Sequence, residues 1–102
     1  MGKVVEYKYK RGDLVFATKA MKVEKDWYEW TVELEKAPVV LDRIKEVEYI
    51  LHPTFKDRIR RVRTPGEGFK IDSEGWGEFD IAVNIYFRDG DEQTVVVPLK
   101  LE

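Results

Sequence analysis

The sequence predicts an all-β fold, an antiparallel β-sandwich of seven to eight strands. Apolar residues alternate with polar ones along most of the chain, which is the period of a strand with one buried face. Turn signals rich in Gly, Pro and Asp separate these alternating runs, and no segment has the periodicity of a long helix. A closed β-barrel fits the same pattern and is the alternative architecture.

The first half of the chain predicts three strands. Two of them lie near residues 4–9 and 14–23, and the sequence Arg-Gly-Asp at residues 11–13 reverses the chain between them. The third strand has a buried face made of Tyr28, Trp30, Val32 and Leu34. Residues 38–45 follow it, and their pattern allows one helical turn and nothing longer.

The second half predicts three further strands with buried faces. These faces consist of Val47, Tyr49 and Leu51, then Phe79, Ile81, Val83, Ile85 and Phe87, and finally Val95, Val97, Leu99 and Leu101. The sequence Arg-Asp-Gly-Asp at residues 88–91 predicts a hairpin between the last two strands. Thr-Pro-Gly at residues 64–66 interrupts whatever element precedes it.

Length and composition restrict the chemistry. A chain of 102 residues predicts one domain, spanning residues 1–102. It has no cysteine, which excludes disulfides and thiolate metal sites, and His52 is its only histidine. Ser73 is the only serine, and no motif sets a nucleophile beside a base. We therefore expect no enzymatic activity, no metal and no cofactor.

The same observations restrict partners and location. No apolar run approaches the roughly 18 residues that cross a membrane, and the N-terminus lacks the pattern of a signal peptide. The net charge of −2 gives no overall attraction for nucleic acid. We expect an intracellular protein, cytoplasmic in a prokaryote or nuclear in a eukaryote, that binds neither nucleic acid nor membranes.

The sequence LHPTF, Leu51 to Phe55, leaves the predicted sheet at the end of a buried strand. Pro53 cannot take part in a normal central-strand ladder, so this stretch predicts a loop at one end of the sandwich. His52, Thr54 and Phe55 place an imidazole, a hydroxyl and an aromatic ring within four residues. One interpretation is a corner plug, in which Phe55 is buried and His52 satisfies a backbone carbonyl. The other is one wall of a ligand site.

The sequence EGWGEF, Glu74 to Phe79, places a tryptophan between two glycines immediately before a strand. Because the alternation directs Phe79 inward, Trp76 belongs to the loop that precedes the strand. Trp76 is then either an aromatic cap over the core or a ligand wall, with Gly75 and Gly77 allowing close approach to the backbone. Loops at one end of a sandwich cluster, so Phe55 and Trp76 are candidates to flank one slot.

Two charge features concern the partner. Residues 56–63 contain five basic side chains and one acid, whereas residues 67–80 contain five acids and Lys70. Both fit solvated strand faces and loops. As a functional alternative, the acids around Trp76 favour a basic peptide, and the basic run favours an acidic partner or phosphate.

Taken with these two motifs, the order of aromatic and apolar residues from Asp26 to Leu101 resembles the YEATS domain family, and more closely its compact prokaryotic relatives. The resemblance implies an immunoglobulin-like β-sandwich without catalysis, whose eukaryotic members bind acetyl- or crotonyl-lysine on histone tails. It implies that Phe55 and Trp76 sandwich the acyl amide, that the Thr54 hydroxyl bonds the amide, and that His52 lines the pocket. The Trp76 backbone amide, held by Gly75 and Gly77, would meet the acyl carbonyl.

The chain departs from the family pattern in two places. Thr54 stands where the family usually has serine, and Trp27 lies near the position of an expected pocket aromatic, which it would supply. The resulting hypothesis is a binding module for an acylated-lysine peptide. The alternative is a structural or assembly domain that contacts another protein and uses the same loops as plugs.

Overall fold

The computed structural model describes residues 3–35 and 38–102, which form two packed antiparallel sheets. In chain order the elements are β1 (Val4–Arg11), β2 (Leu14–Glu24), β3 (Trp27–Leu34), α1 (Pro38–Leu41), β4 (Ile44–Ile50), β5 (Ile59–Val62), a 3₁₀ turn (Pro65–Glu67), β6 (Ile71–Gly75), β7 (Phe79–Phe87) and β8 (Glu92–Leu99). The predicted helical turn is therefore present as α1, and the predicted break at residues 64–66 coincides with the 3₁₀ turn.

The strands divide into two four-stranded sheets. One has the order β1-β2-β3-β6 and the other β5-β4-β7-β8, with every neighbouring pair antiparallel. This arrangement confirms the immunoglobulin-like sandwich, and the closed barrel is wrong because the sheets remain separate.

The core consists of inward rows that the alternation predicted together with residues that it did not assign, such as Phe16 of β2 and Phe69 of the loop before β6. Trp30, Tyr49, Phe16 and Phe69 are its largest fully buried side chains. The Tyr49 hydroxyl donates a hydrogen bond of 2.7 Å to the backbone carbonyl of Phe69. Burial raises the pKa of Tyr49, so its phenol stays a neutral donor. This bond ties the loop before β6 to the centre of the second sheet.

Gly68 occupies a position that other residues fit poorly. Its φ angle is +67°, in the left-handed region. A Cβ atom there would lie 2.4 Å from the backbone oxygen of Leu34. The same two residues are joined by a hydrogen bond of 2.8 Å from the Leu34 amide to the Gly68 carbonyl. Gly68 thus lets the loop approach the end of β3 closely.

The structure differs from the sequence-based interpretation at three positions. The runs IRRV and IDSEG form β5 and β6, which the alternation did not identify as individual strands. Both are edge strands, so neither presents a continuous buried row. The third difference is at the two ends of β7: the alternation predicts Phe79 and Phe87 on the buried face, but both are only partly buried because they lie at the ends of the strand, where the core opens.

The pairing of β4 with β7 positions the two sequence motifs. Ile50 near the end of β4 lies opposite Ala82 near the start of β7. The loop after β4 and the loop before β7 therefore leave the sandwich at the same end. Gly75, the last residue of β6, lies opposite Tyr28 at the start of β3, which brings that sheet to the same end.

Candidate functional site

A cavity of about 300 Å³ lies at this end of the sandwich. All of the residues predicted to bind ligand line it, namely Trp27, His52, Thr54, Phe55, Gly75, Trp76 and Gly77. Lys56, Glu74, Glu78 and Phe79 complete the lining. The structure thus brings together residues that lie up to 52 positions apart in the sequence, from Trp27 to Phe79.

Phe55 forms one aromatic wall, supported from the core. Its ring makes an edge-on contact with Trp30 at 6.1 Å between ring centroids, and a tilted contact with Phe79 at 5.3 Å. A Cβ atom built on Gly75 would lie 3.6 Å from the tip of the Phe55 ring. Packing of this kind fixes the ring plane, so Phe55 is presented as a rigid surface.

Trp76 forms a second wall with a different character. It lies in the bend between β6 and β7, and 68% of its surface is exposed. Among the aromatic ring contacts of residues 3–35 and 38–102, none involves Trp76. The Phe55 and Trp76 rings therefore do not stack on each other. A large apolar side chain left in water is available to a ligand.

His52 and Thr54 form a small polar group on the cavity wall. The Thr54 backbone amide donates to His52 Nδ1 at 3.2 Å, and the Thr54 hydroxyl lies 2.9 Å from the same nitrogen. Because an amide can only donate, Nδ1 is the acceptor, and the hydroxyl then also donates to it. This leaves the lone pairs of Thr54 Oγ1 for an incoming N–H group. The corner-plug interpretation had His52 bonding a backbone carbonyl, whereas here its Nδ1 accepts.

Three charged side chains complete the lining. Glu78 Oε2 accepts a hydrogen bond of 2.7 Å from the Leu101 amide, which fastens the C-terminal segment to the loop of Trp76. The same C-terminal segment is held a second time, because the Tyr28 hydroxyl donates a hydrogen bond to the Glu102 carboxylate. This bond raises the pKa of the Tyr28 phenol. Lys56 and Glu74 are exposed.

Two arginines in the basic run of residues 56–63 form ion pairs with the neighbouring strand. Arg61 pairs with Glu48 at 3.0 Å and Arg63 with Glu46 at 2.8 Å, both across the β4–β5 ladder. Arg61 of β5 and Arg63, which directly follows β5, therefore contact the neighbouring strand β4.

Sequence reasoning did not assign four of the lining residues to the site. The alternation predicts Phe79 in the core, whereas Lys56, Glu74 and Glu78 belong to charge runs that predict either a solvated surface or contact with a charged partner. Their position immediately beside the two motifs was the signal that could have identified them.

The described residues contain no cluster of His, Cys, Asp or Glu that could hold a metal ion. In the same part of the chain, no helix has the length and apolar character needed to cross a bilayer.

The family model of the prokaryotic YEATS domain matches residues 28–100. Among curated proteins, a protein AF-9 homolog of Candida albicans is 34% identical over 70 residues, which cover 64% of this chain and 26% of that protein. The chain thus spans about a quarter of this relative's length.

Solved structures share the fold. The Yaf9 YEATS domain bound to H3K27ac superposes with a TM-score of 0.73 at 21% identity, covering 100% of this chain and 77% of that one. The Yaf9 YEATS domain recognising an H3K122suc peptide gives 0.70 at 21% identity, covering 100% and 78%.

Proposed function

The chain belongs to the prokaryotic YEATS domain family, and from this premise we propose that it is a non-catalytic module that binds an acylated lysine side chain in a basic peptide. Acetyl- and crotonyl-lysine are the proposed ligands. The observation that carries the proposal is the meeting of Phe55, Trp76, Thr54 and His52 at one cavity of about 300 Å³. Two solved structures of the same fold support the proposal, because in them the Yaf9 YEATS domain is bound to H3K27ac and recognises an H3K122suc peptide.

In the proposed complex the acyl amide enters between the faces of Phe55 and Trp76. A flat amide group offers both of its faces to aromatic rings, and the removal of Trp76 from water adds to the binding free energy. Phe55 is already fixed by its neighbours, so the side-chain entropy that is lost on binding comes mainly from Trp76.

Two polar groups of the chain match the two polar atoms of the amide. Thr54 Oγ1, whose hydrogen is directed to His52 Nδ1, accepts the amide N–H of the ligand. The backbone N–H of Trp76 donates to the acyl carbonyl. Among the described residues this N–H has no acceptor, and the flanking Gly77 leaves the space beside it open. An unmodified lysine offers no amide and carries a charge, so it fits this arrangement poorly.

The test is an NMR titration with peptides that differ only in the acetyl, crotonyl or unmodified state of one lysine. We expect acylated peptides to bind with micromolar or weaker affinity, on the order of −8 kcal/mol or less favourable, and the unmodified peptide to bind far more weakly. Trp76→Ala should abolish the difference between peptides. The matched control is Val96→Ala, which truncates another exposed apolar side chain outside the cavity and should leave binding unchanged.

Two results would count against acyl-lysine binding, which we call the reader function. One is equal binding of acylated and unmodified peptides, and the other is unaltered binding by Trp76→Ala. Either would favour an assembly domain whose loops act only as plugs. We propose that residues 1–102 form one domain that acts inside the cell. The proposed binding needs no metal, cofactor or catalytic residue.

A further inference from the structure

We infer that Lys56 makes the cavity favour acyl chains that end in a carboxylate over neutral chains of the same length. The ligand class is a lysine acylated by a dicarboxylic acid, such as succinyl-lysine. The inference rests on the proposed function, since it concerns the acyl group held in the same cavity. Lys56 would thus determine which acyl group the cavity binds more tightly.

Among the described residues that line the cavity, Lys56 is the only lysine or arginine. It directly follows Phe55 in the sequence, lines the same cavity and is exposed. Within the described parts of the chain, no carboxylate lies within ion-pair distance of its ammonium group. Arg61 and Arg63, further along the same basic run, are instead paired with glutamates of β4.

The acids of the cavity lie beside the other wall. Glu74 and Glu78 flank the Trp76 bend, and the carboxylate of Glu78 is held by the Leu101 amide. Glu74 stands opposite Glu29 in the β3–β6 ladder, and like charges in that relation repel. The cavity lining therefore contains a lysine adjacent to Phe55 in the sequence and two acids on either side of the Trp76 bend.

A ligand with matching polarity has an anionic acyl end and a basic peptide. Its carboxylate would pair with Lys56, and its basic residues would lie near Glu74 and Glu29. A neutral acyl chain gains nothing from Lys56. Because Lys56 is exposed, the pair is screened by water and salt, so its contribution to affinity is modest, about two- to fivefold.

The experiment compares peptides carrying butyryl-lysine and succinyl-lysine, whose acyl chains both contain four carbons. Dissociation constants are measured for the parent protein, Lys56→Gln and Arg58→Gln. Arg58 belongs to the same basic run but does not line the cavity, so Arg58→Gln removes the same charge without touching the site.

For the parent protein we expect the succinyl peptide to bind about two- to fivefold more tightly, with the preference decreasing as salt is added. Lys56→Gln should bring the dissociation constants of the two peptides to the same value, whereas Arg58→Gln should retain the preference. Equal affinities in the parent, or a preference that survives Lys56→Gln, would overturn the inference while butyryl binding still supports the reader function. Absence of binding by both peptides would overturn both.

Discussion

Phe79 connects the core to the proposed binding wall, and its truncation tests that connection. In Phe79→Ala the ring that contacts Trp30, Phe55 and His52 is removed. The change leaves the backbone hydrogen bonds of β7 in place. We therefore expect a folded but weakened protein in which Phe55 has lost one of its two supporting rings.

The magnitude follows from the burial of Phe79. Truncation of a fully buried phenylalanine costs about 3–5 kcal/mol. Phe79 is only partly buried, which lowers this cost, but its ring contacts each add to it. A loss of about 2–4 kcal/mol in the free energy of unfolding is expected, corresponding to a fall in melting temperature of roughly 10–20 °C for a domain of this size.

Urea unfolding followed by tryptophan fluorescence measures this loss. The midpoint should fall while the slope against urea stays constant, because the surface exposed on unfolding hardly changes. Val96→Ala serves as the control, since Val96 is 51% exposed and should cost far less. A Phe79→Ala protein as stable as the parent would show that the ring does not pack as described.

Two further substitutions test the interior. Tyr49→Phe removes the donor to the Phe69 carbonyl and should lower the free energy of unfolding by about 1–3 kcal/mol, as urea midpoints would show; an unchanged midpoint would mean that the carbonyl finds another donor. Within residues 3–35 and 38–102 the buried Thr18 hydroxyl has no hydrogen-bond partner, so Thr18→Val, which keeps the shape, should raise the free energy of unfolding by about 1 kcal/mol. A lower melting temperature for Thr18→Val would contradict this reasoning.

Much of the fold follows from the sequence because burial imposes a period of two on strands that face a core. Trp30 and Val32 in β3, and Val83 and Ile85 in β7, follow this rule and are buried. The edge strands do not. Arg61 of β5 and Arg63 directly after it pair with glutamates of β4, so the identity of this strand depends on pairing, which local periodicity does not contain.

The sequence identifies the two motifs of the site, but it does not by itself show that they meet in space. LHPTF and GWGEF each mark a loop, and their residue types suggest aromatic walls with a polar group between them. Their meeting depends on the antiparallel pairing of β4 with β7. That pairing is a long-range property of the sandwich. The roles of Lys56 and Phe79 also depend on it, which is why sequence reasoning placed them elsewhere.

The central claim is that an acylated lysine lies between Phe55 and Trp76, and proton–proton contacts in the complex test it most directly. With a crotonyl-lysine peptide bound, intermolecular nuclear Overhauser effects should connect the crotonyl protons to the rings of both residues. Contacts from the crotonyl protons to a surface away from this cavity, or their absence in a saturated complex, would contradict the claim.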